Sequence, residues 1–155
     1  MFALKLIVGV LSIVFSCKIG VDKAYKHKKT YYFFESANMF CNAFLSDLLY
    51  KRSNLKEIIK IKYTSIEFED SIKNFVINSK INLPNFLSLE EKTLFEGFLN
   101  SLGKYDTDSQ IKIIEGYRDS FLKISNEKFL TFKKFYTLFI KLGFIFGLTI
   151  FILVI

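Results

Sequence analysis

The chain has 155 residues, enough for one domain, with 51% hydrophobic and 17% aromatic residues, including 19 Phe, and a single Pro. That composition excludes a disordered or loop-rich protein and favours a helical one with membrane contact. The net charge of +7 is not a nucleic-acid signature, because the excess lies near the two ends of the chain and not on its middle.

The first apolar run is "LIVGVLSIVFSC", 12 residues long, with Lys5 the only charge before it. Residues 1–21 are just long enough for a span if Lys5 and Lys18 snorkel, since a bilayer core of roughly 30 Å takes about 20 helical residues. A signal peptide ending at "VFSC" is the rival reading, with Phe15 a poor fit to a lipobox. Lys18, Lys23, Lys26, Lys28 and Lys29 against Asp22 then give a local charge of +4. Cys17 and Cys41 are too few for a disulfide framework and read as reduced, packed thiols.

The middle of the chain has helical periodicity. Phe33, Ala37, Phe40, Phe44 and Leu48 are spaced four, three, four and four apart, one face of a helix ending near Tyr50. "NLKE" (Asn54 to Glu57) and "TSIE" (Thr64 to Glu67) each have the capping-box pattern. They predict two shorter helices, one carrying Leu55, Ile58 and Ile59, the other Phe68, Ile72, Phe75 and Val76. Pro84 marks a linker, because the residue before a proline resists helical geometry. "SLEE" opens the next helix, with Ser88 as N-cap, Glu91 returning the bond, and a buried stripe of Leu94, Phe95, Phe98, Leu99 and Leu102.

Gly103 follows directly, where a left-handed residue ends a helix, and only glycine takes that conformation without strain. Asp106 or Thr107 then caps a helix bearing Ile111, Ile114, Tyr117, Phe121 and Ile124, and Asp108 complements its positive end. With no Pro from 108 to 155, a continuous helix of 48 residues is expected. It ends in "FYTLFIKLGFIFGLTIFILVI", residues 135–155, where 14 uncharged residues follow Lys141. Gly143 and Gly147 form a GxxxG spacing that lets membrane helices approach closely. Lys128, Lys133, Lys134 and Lys141 add +4 on the inner side of this segment. Lysines on the loop side of both segments place the loop in the cytoplasm.

The carboxylates of "SLGKYDTDSQ" suggest a metal loop, but the pattern fails. A calcium loop starting at Asp106 needs Gly at position 111 and Glu at 117, which are Ile111 and Tyr117. There is one His, His27, and no Walker A loop, GxSxG or Cys/His cluster. No catalytic, cofactor-binding or metal-ligating residue is expected, and the stretch reads as a helix–turn–helix joint.

"LSLEEKTLFEGFLNSLGKYDTDSQIK", with Leu102, Gly103, Asp106 and Gln110 in an LG-x-x-D-x-x-x-Q core, resembles the stage III sporulation protein AB family. Members of that family are similar to cytoplasmic domains of the F platform proteins of type II secretion and type IV pilus systems. "FLSDLLYKRSNLKEIIKI" is a second similarity, through Asp47, Leu48, Tyr50, Leu55, Glu57 and Ile58, with Asn54 where the family has proline. The resemblance implies an F-protein-like all-α helical bundle and a role in endospore formation, in the mother-cell membrane. It also implies a partner, a secretion-type ATPase of the stage III sporulation protein AA kind, alongside other subunits of the channel complex.

The expected architecture is therefore an N-terminal span at 1–21, a cytoplasmic helical domain at 22–134 and a C-terminal span at 135–155. The expected role is a non-enzymatic membrane platform subunit. A small holin-like membrane-perturbing protein and a pilus or competence assembly protein are the alternatives.

Overall fold

The computed structural model describes the backbone of residues 2–51 and 55–154, with side chains described at 21–22, 24–50, 57–143, 145–146 and 149. The elements are α1 (Phe2–Ser46), a π-helical turn (Asp47–Lys51), α2 (Leu55–Ile58), α3 (Ile66–Asn78), α4 (Leu89–Ser101) and α5 (Thr107–Val154). Among the described residues there is no strand, so the chain is an all-α helical bundle. α5 runs unbroken for 48 residues, as the lack of proline predicts.

Contacts divide the chain into two compact units, Lys29–Glu127 and the paired ends Met1–Lys28 with Lys128–Ile155. Both boundaries lie about two helical turns inside those expected from charge and hydropathy, at 22 and 134. Among the described residues, no helix is long and apolar enough to cross a membrane. Most side chains of the expected spans, Gly147 of the GxxxG pair among them, lie outside the described residues.

The 29–127 unit is held by rings. Phe33, Phe34 and Phe40 of α1, Phe68 of α3, Phe95 and Phe98 of α4 and Phe121 of α5 are all completely buried. Leu55 apart, whose side chain lies outside the described residues, the stripes predicted from spacing form this core, with Leu48, Phe75, Val76, Leu94, Leu102, Ile111, Tyr117 and Ile124 partly buried at its edge. Edge-to-face contacts dominate, such as Phe40 with Phe98 at 5.9 Å and 89°. That arrangement suits the negative face and positive rim of an aromatic ring.

Two of the three expected capping boxes have described caps. At α4 the box is complete: Ser88 N–H donates to Glu91 Oε2 at 2.7 Å, and Glu91 N–H donates to Ser88 Oγ at 3.3 Å. At α3 the N-cap is Ser65 and not Thr64, and its Oγ accepts from Phe68 N–H at 3.2 Å. A non-local bond sets this register, since Ser65 N–H donates to the buried Ser36 Oγ of α1 at 2.9 Å. Glu67 thereby stands one place short of closing a box, and Glu69 accepts from Tyr63 N–H at 2.8 Å. The cap expected at Asn54 lies outside the described residues.

In the unit formed by the two ends, α1 and α5 meet at rings. His27 stacks on Phe135 with centroids 5.6 Å apart and planes 7° from parallel. The Lys28 ammonium lies 5.8 Å from the centroid of Phe132, a cation–π contact.

Candidate functional site

The α4–α5 joint brings together the four motif residues predicted from sequence. Leu102 ends α4 in an extended conformation (φ −63°, ψ 122°), and Gly103 follows at φ +71°. With Lys104 N–H directed at Ser101 C=O at 3.5 Å, these are the features of a type II turn, whose third residue needs positive φ. Gly103 is thus left-handed as expected, although the turn differs from the helix-ending pattern that returns this N–H to α4. The Gly103 N–H instead donates to the side-chain Oε1 of Gln110 at 3.1 Å.

Asp106 is the N-cap of α5. Its Oδ2 accepts from Ser109 N–H at 3.1 Å, and its C=O accepts from Gln110 N–H at 2.8 Å. Hydrogen bonds from Ser109 hold the Asp106 carboxyl below its ordinary value, so the capping anion persists at the positive end of the helix. Gln110 is buried and spans the joint, holding the turn with Oε1. Its Nε2 is buried without an acceptor among the described residues, an unfavourable arrangement that the turn bond offsets only in part. Leu102 anchors the other end by packing against the aromatic core. The joint is a clasp built from a turn, a cap and a buried amide.

Spacing alone leaves two contributors hidden. A Cβ on Gly97 would lie 2.9 Å from Tyr117 Oη, so this glycine leaves room on α4 for the Tyr117 hydroxyl of α5. Ser36, the acceptor that fixes the start of α3, is equally silent in sequence.

Other chemistry-bearing groups are engaged structurally. Cys41 is a buried free thiol, and burial pushes its pKa up, against the lowering influence of Arg118, which leaves little thiolate for nucleophilic attack. An open groove of about 290 Å³ beside the Pro84 linker is lined in part by Glu67, Asp70, Ser71 and Asn82. Several of its polar groups are already used: Lys29 pairs with Glu67 at 3.3 Å, and Ser71 Oγ donates to both Glu67 C=O and Asn82 C=O. Burial alone would raise the Glu67 carboxyl, but hydrogen bonds from its own backbone, Ser65 and Lys29 outweigh that and hold it low. From the second stretch of similarity, Asp47 is buried in the π-helical turn, Ile58 joins the core, and Tyr50 is exposed.

Fold and joint together define an all-α bundle whose sequence motif is a structural clasp. No protein family, curated protein or solved structure matches the chain.

Proposed function

We propose that this chain is a non-enzymatic membrane platform subunit of a sporulation channel or secretion-like complex. The cytoplasmic bundle binds a secretion-type ATPase in the mother cell, and the terminal segments at 1–21 and 135–155 hold it in the membrane. The observation that carries this reading is the packed aromatic bundle of 29–127, set in sequence between two apolar ends. A holin-like protein has no use for such a folded middle. The clasp at Leu102, Gly103, Asp106 and Gln110 adds support, because the motif behind the family resemblance is an ordered joint at the edge of that bundle.

Affinity capture of the tagged full chain from detergent-solubilised membranes of sporulating cells tests the reading. The expected result is co-purification of a hexameric secretion-type ATPase, together with a block in spore formation on deletion. Recovery of other membrane partners without any ATPase contradicts the platform role, and normal sporulation in the deletion strain contradicts the sporulation assignment.

A further inference from the structure

We propose that the outward face of α5 between Leu130 and Lys141 binds the headgroup of an anionic phospholipid. Leu130, Lys133, Lys134, Thr137, Leu138 and Lys141 line an open groove of about 450 Å³ along this helix. Their spacing of three, one, three, one and three places all six on one helical face. Every one of them is exposed.

The face lies about half a turn around the helix from the aromatic side that engages α1. Phe132 and Phe135, which meet Lys28 and His27, are partly buried and belong to that other side. The lysine face therefore remains available after the two helices pair.

Charge selects the occupant. Glu127 is the last carboxylate side chain in the sequence, and none follows it to residue 155. The three ammoniums thus sit within about 12 Å along the axis with no acidic side chain interleaved, a match for a phosphodiester. Thr137 donates its hydroxyl hydrogen to Lys133 C=O at 2.9 Å, so it offers nothing to the phosphate, and its oxygen can accept only from a hydroxyl of the headgroup. Leu138, within the proposed span, supplies an apolar wall for the upper acyl chain, while Leu130 borders the groove on the side away from the membrane. Beyond Lys141 the chain is uncharged for 14 residues, so headgroup-binding charge passes directly into lipid-compatible sequence. The inference rests on residues 135–155 entering the membrane, as proposed above. What it adds is selectivity among lipids at a defined face.

The test uses the full chain reconstituted into phosphatidylcholine vesicles carrying trace spin-labelled phosphatidylglycerol or spin-labelled phosphatidylcholine. Wild type is expected to prefer the phosphatidylglycerol label by about fivefold or more, the magnitude one well-placed lysine supplies. Lys133→Gln/Lys134→Gln/Lys141→Gln should bring the preference close to unity, and the corresponding Arg variant should keep it. Lys104→Gln/Lys112→Gln/Lys123→Gln, which removes the same charge from the 29–127 unit, should leave it unchanged.

Insertion into vesicles without lipid preference overturns this inference and leaves the membrane reading standing. An equal loss in the control variant also overturns it, by making the attraction diffuse. Loss of the preference on addition of millimolar inorganic phosphate assigns the face to a soluble anion and overturns it as well. Failure to float with either vesicle removes the membrane reading and this inference together.

Discussion

Phe95→Ala is expected to destabilise the bundle by about 3–5 kcal/mol, the upper range for truncating a single buried side chain. Phe95 is completely buried, and its ring meets one aromatic partner from each long helix of the core. Centroids lie 4.9 Å from Phe33 of α1, 5.9 Å from Phe68 of α3, 5.7 Å from Phe98 of α4 and 5.9 Å from Phe121 of α5. Removing the ring opens a cavity that four rigid neighbours cannot collapse to fill, so a cavity cost adds to the lost burial. Phe95→Leu keeps much of the volume and should lose less. Leu89→Ala on the same helix, at a side chain 82% exposed, should stay within about 0.5 kcal/mol of wild type. Urea titrations of the full chain followed by helical circular dichroism read these differences as midpoint shifts at constant slope. A loss below about 1 kcal/mol for Phe95→Ala would mean that this ring is not the hub of the core.

Gly103→Val is the second large effect, a loss of at least about 1 kcal/mol, with Gly103→Asn milder. The cause is conformational. Gly103 sits at φ +71°, yet a Cβ there meets nothing within 4 Å, so no steric clash with neighbours contributes. A β-branched residue resists positive φ most, whereas asparagine tolerates it. Asp106 provides the companion series. Asp106→Ala should lower the melting temperature by removing the acceptor for Ser109 N–H, and Asp106→Ser should restore most of the loss. Were Asp106 a metal ligand, serine would fail as badly as alanine and calcium would raise the melting temperature. Thermal melts of wild type and the four variants, with and without calcium, separate the two roles. A neutral Gly103→Val together with Asp106→Ser behaving like alanine would refute the clasp.

What was legible in the sequence is what local physics determines. The 3.6-residue period picked out Phe33, Ala37, Phe40, Phe95, Phe98, Ile114 and Phe121 as core. Ser88 with Glu91 and Gly103 with Asp106 declared themselves because a cap or a left-handed turn demands particular residue types within a few positions. Long-range pairings were not legible. The start of α3 depends on Ser36, 29 residues away from Ser65, and no local rule prefers Ser65 to Thr64. Gln110 is only a motif letter in the sequence. Its reach back across the turn to Gly103 becomes visible once α5 has been placed against the joint. Gly97 likewise resembles an ordinary helix-weakening glycine until Tyr117 is seen opposite it.

Everything proposed for the chain depends on where residues 22–134 lie. Lysines cluster on the loop side of both apolar ends, so the bundle is expected in the cytoplasm with the termini across the membrane. Lys80 is exposed at the start of the α3–α4 linker and accepts a cysteine without touching the core. The buried Cys41 should remain silent toward thiol reagents. The decisive measurement is labelling of full-length Lys80→Cys, with Cys17→Ser to remove the other thiol, by a membrane-impermeant maleimide. No labelling in intact cells and full labelling after lysis is the predicted result. Labelling before lysis would place the bundle outside the cytoplasm, beyond the reach of any ATPase there, and would contradict the platform reading.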